Sequence, residues 1–206
     1  MTDHIERTLR ASASKNHDGP DRLPDLTDAA ARAGLLDVAY ATLDSPVGTL
    51  LLAATPRGLV RLAYLDQTNE DAILERLATR ISPRVLRAPQ KLDEPRYELD
   101  QYFAGARTHF DTAIDWELTR GFGRRVLEAA TRIPYGGTAS YRQVAADAGS
   151  PRGARAAGNA LGANPIPIIV PCHRVLHSGG GLGGYTGGLE RKRLLLAVER
   201  GQGRAK

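Results

Sequence analysis

The chain has 206 residues, a formal net charge of +5 and a hydrophobic fraction of 42%, which suit one domain or two small domains with a sizeable core. No apolar run reaches the roughly 18 residues that a membrane-spanning helix needs, and the first ten residues lack the apolar stretch of a signal peptide. A single cysteine excludes an internal disulfide, and no spaced Cys/His set predicts a structural metal. These features predict a cytoplasmic protein in a reducing compartment, without membrane contact, metal or cofactor.

Positive charge is concentrated in the second half of the chain. Residues 1–118 carry 14 Lys and Arg against 19 Asp and Glu, whereas residues 119–206 carry 14 against 4. A basic region beside an acidic one indicates a polyanionic partner for the basic part. A solvated, arginine-rich surface without a partner is the alternative that charge alone leaves open.

The first 36 residues form an N-terminal extension in this interpretation. Residues 1–22 are polar and contain several Ser, Gly and Pro residues, which predicts a disordered tail. Residues 23–36 place Leu26, Ala30 and Ala33 at helical spacing, which predicts one short helix. The sequence assigns this extension no function.

Residues 37–118 predict a small α+β domain followed by a linker. Apolar segments separated by proline-containing turns indicate an antiparallel sheet, and segments with helical spacing follow. The predicted elements are strands at 38–43, 48–54 and 58–65, helices at 69–80 and 95–103, and a linker at 106–118. Acidic residues near the second helix indicate an exposed helix start rather than a catalytic pair; they are Asp93, Glu94, Glu98 and Asp100.

Residues 119–206 predict a mostly helical domain with a helix-turn-helix. A helix over 122–132 is followed by one that starts after Ser140, which is a suitable N-cap. A Gly-Ser-Pro turn then leads into a helix over 152–161, with Pro151 in its first turn. Six of the ten residues of this last helix are Gly or Ala, and its long polar side chains are Arg152, Arg155 and Asn159. Interior Gly costs roughly 1 kcal/mol relative to Ala. A slim helix, one with so few long side chains, is predicted to approach another backbone or a narrow groove closely.

The only cysteine lies in the sequence Pro-Cys-His-Arg-Val at residues 171–175, after an apolar run that begins at Asn164. Prolines in and around this run predict a stiff, irregular or edge-type strand that delivers Cys172 to the floor of a pocket. A lone cysteine can be a small core residue. The adjacent His and Arg favour an activated thiolate nucleophile instead.

A glycine-dense loop and a final helix complete the chain. Residues 178–188 contain seven glycines but lack the Lys-Ser/Thr of a phosphate-binding loop, which favours a flat wall against a planar base. The final helix is predicted over 189–200, with the Glu199 carboxylate pointing inward. Its predicted buried stripe consists of Leu194, Leu195, Ala197 and Val198.

The motif at 171–175 resembles the active-site signature of the O6-alkylguanine-DNA alkyltransferases, or methylated-DNA–protein-cysteine methyltransferases. The resemblance runs from about Val38 to Arg200 and is strongest from Phe122 onward. It implies an α+β fold, with a ribonuclease H-like N-terminal domain that has no chemistry of its own and a winged-helix-like C-terminal domain containing the helix-turn-helix. It also implies DNA repair by a single, irreversible transfer of an alkyl group from O6-alkylguanine to the protein's own cysteine. O4-alkylthymine is left open as a second substrate.

Four residues carry the chemistry that the resemblance implies. Cys172 matches the nucleophile, and His173 matches a base that acts through a bridging water. Glu199 matches the carboxylate that orients the imidazole in the manner of a triad. Asn164 matches an asparagine that joins the helix-turn-helix to the active-site segment and hydrogen-bonds near the thiol.

Five further residues are implied in DNA and base binding. In the family the slim helix enters the minor groove, Arg155 matches the arginine that fills the gap left by a flipped base, and Tyr141 matches a tyrosine that crowds the target phosphate. Tyr185 matches the tyrosine that donates to the guanine oxygen, and Val175 and Thr186 are expected to line the same pocket. The implied partner is double-stranded DNA, bound without sequence preference by a monomer.

Three other functions were weighed against this one. A non-catalytic protein that binds alkylated DNA would resemble this chain, but the alkyltransferase-like proteins of that kind lack the cysteine. A thiol hydrolase would need an oxyanion site and would give no reason for a basic helix-turn-helix. A regulator that uses a methylated thiol as a signal would need a metal-thiolate domain, and the chain has no further cysteines for one.

Overall fold

A computed structural model describes residues 33–201 of the chain. The predicted tail at 1–22 and most of the predicted helix at 23–36 lie outside the described residues. The described part has an α+β architecture, with a four-stranded sheet in its first half and mainly helices in its second half. No helix in this part is long and apolar enough to cross a membrane.

The first half is built on a mixed sheet. The predicted antiparallel meander is formed by β1 (Val38–Leu43), β2 (Leu50–Thr55) and β3 (Gly58–Tyr64). A fourth strand, β4 (Val85–Arg87), pairs parallel with β1 and gives the order β3-β2-β1-β4. Three residues are too few to show the alternation that identifies a strand, so the sequence did not predict β4.

β2 is apolar along most of its length because both faces of the sheet are covered. Successive side chains of a strand point to opposite faces. Leu50 and Leu52 therefore belong to the main core, which the sheet shares with the helical half. Leu51 and Ala53 join a smaller apolar cluster that is closed by α1 (Glu70–Arg80). The sheet is thus a rigid support against which the second half packs.

Glu98 corrects the prediction of an exposed acidic helix start. It lies in α2 (Asp93–Phe103), which follows a 3-10 turn at Pro89–Leu92, and it is only 3% exposed. Its carboxylate accepts hydrogen bonds from the backbone N–H groups of Asp111 (3.0 Å) and Thr112 (3.1 Å), and from the Thr112 hydroxyl (2.7 Å). The carboxylate therefore holds the linker in place instead of facing solvent. The exposed acidic residues are Asp93, Glu94 and Asp100.

The linker is fixed along the edge of the sheet. The backbone N–H of Leu59 donates to the Ala113 carbonyl (2.8 Å), and the Leu59 carbonyl accepts from the Asp115 N–H (2.8 Å). Gly58 permits this close approach, because it has a φ of +136° and a Cβ there would clash with the Ala113 carbonyl. The chain then passes through a 3-10 turn at Trp116–Leu118 into the second half.

The second half contains the predicted helix-turn-helix. After α3 (Gly121–Thr131), its two helices are α4 (Tyr141–Asp147) and α5 (Ala154–Gly162). Ser140 is the N-cap of α4, as predicted, since its hydroxyl oxygen accepts a hydrogen bond from the backbone N–H of Gln143 at 3.1 Å.

The start of α5 lies later than predicted. Gly153 is its N-cap, so Pro151 and Arg152 belong to the preceding turn and not to the first helical turn. The backbone N–H of Gly153 donates to the Ser150 carbonyl at 2.8 Å, which extends the turn past the proline.

The apolar run before Cys172 is not a strand, contrary to the prediction. Proline supplies three of the residues from 165 to 171, and proline has no N–H to donate to a neighbouring strand. Ile168 has a φ of +75°, which no strand residue adopts. The run is an irregular segment that ends in a 3-10 turn at Cys172–Arg174. The two-residue strand that follows, β6 (Val175–Leu176), pairs parallel with β5 (Ala139–Ser140).

The last helix, α6 (Leu189–Glu199), buries a different face from the predicted one. Of the predicted stripe only Leu195 is buried, and Leu194 is 39% exposed. The buried face has the spacing i, i+3, i+4, i+7 of a single helix side. It consists of Lys192, Leu195, Leu196 and Glu199. The prediction from hydrophobicity chose the wrong helix face, because two of the four buried positions are charged residues.

Candidate active site

Cys172 is held at the start of its 3-10 turn by the side chain of Asn164. The amide nitrogen of Asn164 donates to the cysteine Sγ (3.1 Å) and to the Val170 carbonyl (2.8 Å), while its amide oxygen accepts from the Ile166 N–H (3.0 Å). Asn164 is 2% exposed. One buried amide therefore stabilises the irregular segment and donates directly to the thiol sulfur, in agreement with the position predicted for it.

The thiol reaches an open pocket of about 570 Å³ beside the helix-turn-helix. Cys172 is 5% exposed and contributes to its lining. The other walls come from the start of α4, one face of α5 and the glycine-rich loop. The structure thus brings the nucleophile candidate, the slim helix and the glycine-rich loop together around one cavity.

His173 faces away from solvent and is bound to Glu199. Its Nε2 lies 2.7 Å from the Glu199 carboxylate, and the imidazole is fully buried. Burial lowers the pKa of His173, so the ring is neutral at pH 7. Since an ionised carboxylate can only accept, Nε2 carries the proton and Nδ1 is the basic nitrogen. Nδ1 is buried and has no hydrogen-bond partner among the described residues.

Glu199 is the most heavily hydrogen-bonded side chain around the site. It accepts from His173, from the Arg174 guanidinium (3.0 Å), from the Tyr102 hydroxyl (2.8 Å) and from the Gly136 N–H (3.1 Å). Burial acts to raise its pKa, but the hydrogen bonds from His173 and Arg174 and the positive charge of Arg174 outweigh burial and lower the pKa to about 2. The carboxylate is therefore ionised at all physiological pH values.

The sequence analysis used Arg174 only as a positive neighbour of Cys172, and it gave Tyr102 no role. Arg174 is 6% exposed, and it also donates from Nη1 to the Ile133 carbonyl (2.6 Å). Tyr102 comes from α2, so the first half of the chain contributes a donor to the buried Glu199. The motif placed Arg174 beside His173, but nothing in the sequence connected Tyr102 to a residue 97 positions away.

The sulfur of Cys172 is not a free thiolate. Burial raises the pKa of the Cys172 thiol to about 11, although the Asn164 hydrogen bond and the positive charge of Lys192 act in the opposite direction. At pH 7 the residue is a thiol and must lose its proton during any reaction in which it is the nucleophile.

Lys192 is the buried cation that the sequence analysis missed. Its Nζ donates to the backbone carbonyls of Val175 (2.7 Å), Gly184 (3.3 Å) and Leu182. The side chain is fully buried. Three carbonyl acceptors fix the glycine-rich loop against the segment that follows Cys172. The signal available in the sequence was a lysine three residues before Leu195 on the same helix face.

Tyr141 and Arg155 lie at the mouth of the pocket. Tyr141 is the first residue of α4, and its ring lies 5.1 Å from that of His177. Arg155 is exposed on α5 and makes no hydrogen bond or ion pair with any described residue. Both positions suit contact with a ligand that approaches along α5.

Tyr185 and Thr186 line the pocket, whereas Val175 does not. The Tyr185 hydroxyl lies 2.7 Å from that of Tyr64, and the Thr186 hydroxyl donates to the Gly162 carbonyl at 2.9 Å. Val175 is fully buried in the main core, outside the lining. Its place in β6 aims the side chain into the core, so the expectation that it lines the pocket is corrected.

Among residues 33–201 no group of three or more His, Cys, Asp or Glu side chains is placed to hold a metal ion. The helix-turn-helix, the glycine-rich loop and the buried Cys172 border one cavity, and the buried His173–Glu199 pair lies outside the lining of that cavity. This is the arrangement of a helix-turn-helix protein that carries its one cysteine at the edge of a cavity.

Comparison with known protein families gives a consistent result over most of the chain. Residues 38–116 match the model of the 6-O-methylguanine DNA methyltransferase, ribonuclease-like domain. Residues 121–201 match the model of the 6-O-methylguanine DNA methyltransferase, DNA binding domain. The chain belongs to this family of methyltransferases. The two matches also confirm the predicted order of an α+β domain and a helical DNA-binding domain.

Individual relatives agree with this assignment. The methylated-DNA–protein-cysteine methyltransferase of Mycolicibacterium paratuberculosis is 44% identical over 79% of this chain and 93% of its own length. The protein of the same name from Methanosarcina barkeri is 37% identical over 78% of this chain and 96% of its own length. The crystal structure of Mycobacterium tuberculosis OGT in complex with DNA has 43% identity and a TM-score of 0.68, covering 80% of this chain and 94% of the other.

Proposed function

We propose that this protein repairs DNA by moving the alkyl group of O6-alkylguanine to Cys172 in one irreversible step. The observation that carries the proposal is the position of the cysteine: it lines an open pocket beside the helix-turn-helix, with a hydrogen bond from Asn164 to its sulfur. Membership of the family and the names of the relatives support the same reaction.

The thiol proton leaves through His173 in this proposal. Cys172 is protonated at pH 7 because its pKa is about 11, and the basic Nδ1 of the neutral imidazole is the available acceptor. A water molecule bridges the two groups, since neighbouring residues of a tight turn do not aim their side chains at each other. Glu199 then stabilises the imidazolium that forms.

The alkyl group moves by displacement at a saturated carbon. The Sγ–C bond forms while the C–O6 bond breaks, and the electron pair of the broken bond stays on the guanine. The Tyr185 hydroxyl donates to the departing oxygen and stabilises this charge. The product is a thioether, which has no leaving group that water can displace in this site. Each molecule of the protein therefore acts once.

DNA is bound through the second half of the chain, without sequence preference and by a monomer. The slim α5 enters the minor groove, Arg155 fills the space of the extruded nucleotide and Tyr141 presses on its phosphate. The exposed, unpaired Arg155 and the open pocket beside α5 support this arrangement. Phosphate contacts supply affinity and position but do not specify a sequence.

The two halves have separate tasks in this proposal. Residues 37–118 form the supporting domain with its linker, and residues 119–206 form the domain that binds DNA and accepts the alkyl group. Residues 1–36 remain an N-terminal extension. Because an oxidised cysteine would be inactive, the protein acts in the reducing cytoplasm.

The test is mass spectrometry of the intact protein after incubation with a duplex that contains one O6-methylguanine. We expect one added methyl group per molecule, located on Cys172 by peptide analysis, and none with an unmodified duplex. Cys172→Ser should bind the duplex but gain no mass. Binding of the modified duplex by the wild-type protein without any change in mass would refute the transfer and support a non-catalytic lesion-binding protein.

A further inference from the structure

Tyr64 belongs to the first half of the chain and contacts Tyr185, a residue that lines the pocket. It is the last residue of β3 and is 3% exposed. Its hydroxyl lies 2.7 Å from the hydroxyl of Tyr185, and the two rings are 6.4 Å apart at an angle of 68°. This contact joins the N-terminal sheet to a residue that lines the cavity beside Cys172.

Arg191 holds the Tyr64 ring in this position. Its guanidinium lies over the ring at 4.5 Å from the centroid. The same guanidinium donates to the Asp66 carboxylate (2.7 Å) and to the carbonyls of Val47 (2.6 Å) and Gly187 (3.0 Å). The bonds to Asp66 and Val47 tie the start of α6 to the segments beside the sheet, and the bond to Gly187 stays within the segment just before α6.

Gly187 has no side chain, and this leaves room for the contact between Tyr64 and Tyr185. A Cβ at this position would lie 2.6 Å from Cε2 of Tyr64 and 2.7 Å from Cε1 of Tyr185. Any larger residue at 187 would push both rings aside. The contact between the hydroxyls is thus built from two segments of the chain, the end of β3 and residues 185–191.

Either hydroxyl can donate in the contact between Tyr64 and Tyr185, but only one direction leaves Tyr185 a proton for a ligand. A phenol has one proton, so Tyr185 cannot donate to Tyr64 and to a ligand in the pocket at once. The Tyr64 hydroxyl has no other hydrogen-bond partner among the described residues. Burial raises the pKa of Tyr64 and of Tyr185, so both keep their protons at pH 7. When Tyr64 donates to the Tyr185 oxygen, the proton of Tyr185 is free to point into the pocket.

We propose that Tyr64 is a positioning residue for alkyl transfer, which donates to the Tyr185 hydroxyl and thereby aims its proton at the departing guanine oxygen. This role rests on the proposed function. It gives the N-terminal domain a share in the chemistry, whereas the family resemblance implies no chemistry for that domain. The donation also polarises the Tyr185 O–H bond, which strengthens its own hydrogen bond to the leaving group.

The test compares Tyr64→Phe with the wild-type protein in single-turnover methyl transfer from an O6-methylguanine duplex at saturating DNA. We expect the rate constant to fall about fivefold to tenfold, the value of one oriented neutral hydrogen bond. The dissociation constant for the duplex should not change. Methylation of Cys172 by iodomethane should also keep its rate, because iodide leaves without a hydrogen bond.

Two controls separate positioning from packing. Tyr40→Phe removes a hydroxyl from β1, which β2 separates from the strand of Tyr64, and should leave both methylation rates unchanged. In a Tyr185→Phe background, Tyr64→Phe should have no further effect on transfer, because its partner is already absent.

Three results would contradict the role. Equal transfer rates for wild type and Tyr64→Phe would refute it while leaving the proposed function intact. A parallel fall in the iodomethane rate would show that Tyr64 only packs the site, and an equal loss in the Tyr185→Phe background would show that it does not act through Tyr185. A wild-type protein that transfers no methyl group would instead refute the proposed function and this role with it.

Discussion

Each half of the molecule buries one glutamate among several hydrogen-bond donors. In the first half Glu98, at 3% exposure, accepts from two backbone N–H groups and the Thr112 hydroxyl, and it pairs with Arg107 at 3.1 Å. In the second half Glu199, at 5% exposure, accepts from Arg174, a tyrosine, a backbone N–H and His173.

The two centres follow the same physical rule but differ in what they hold. A buried carboxylate is stable only when its charge is paired and its oxygens are hydrogen-bonded, and both glutamates meet that condition. Glu98 organises a linker, whereas Glu199 fixes the tautomer of a histidine that follows the only cysteine. Burial and pairing of an acid therefore do not identify an active site; the neighbouring nucleophile does.

Replacing each glutamate by glutamine should separate the two centres most clearly. Glu199→Gln should slow methyl transfer from O6-methylguanine by at least about a hundredfold, because the imidazolium formed at His173 loses its counter-charge. Glu98→Gln should leave the transfer rate of the folded protein within about twofold of wild type.

Single-turnover rates and thermal unfolding of both variants measure this difference. Both substitutions should lower stability, since each leaves buried donors poorly paired. Similar losses of transfer rate in two folded variants would mean that the comparison between the centres is wrong.

The role of His173 as a base can be tested through pH. In His173→Gln the amide can still donate to Glu199 but has no basic nitrogen. Alkylation of Cys172 by iodoacetamide should then rise about tenfold per pH unit from pH 7 to 10, because the thiol pKa is about 11. The wild-type rate should be higher at pH 7 and vary less. Parallel pH profiles for the two proteins would remove His173 from the proton path.

Acid stability should show the contribution of Glu199 as a smaller effect. The pKa of Glu199 is lowered from 4.5 to about 2 in the folded protein. Its contribution to the free energy of unfolding is therefore complete above about pH 4.5 and is lost as the pH falls towards 2. The linked free energy is roughly 3 kcal/mol. Urea unfolding at pH 5 and pH 2.5 should show a steeper loss for wild type than for Glu199→Gln, and equal losses would contradict the lowered pKa.

The smallest expected difference concerns the two hydroxyl groups that donate hydrogen bonds to the glutamates. Tyr102→Phe removes a donor to Glu199, and Thr112→Val removes a donor to Glu98. Each should cost about 1–3 kcal/mol of unfolding free energy, as expected for a hydrogen bond to a charged group. Only Tyr102→Phe should also slow methyl transfer, by a few fold. A transfer defect in Thr112→Val would place Glu98 in the chemistry after all.

Local signals in the sequence predicted much of this molecule. The apolar segments of β1 to β3 with the turns between them, the Ser140 N-cap and the helix-turn-helix could be predicted because each depends on residues close in the chain. The predictions were wrong where the burial of a side chain depends on contacts with residues far away in the chain. Leu194 was expected inside and Glu98 outside, because hydrophobicity cannot show that a charge will find its partners in the interior.

The family could be identified from the amino-acid sequence alone, and so could the cysteine proposed as the nucleophile, since the motif around Cys172 and the spacing to Tyr185 and Glu199 are properties of the linear chain. Only the tertiary structure decided that Lys192 fixes the glycine-rich loop and that Tyr64 contacts Tyr185 across 121 positions. Such contacts depend on how two halves pack, and packing is set by shape and by satisfied hydrogen bonds over the whole core rather than by any local pattern.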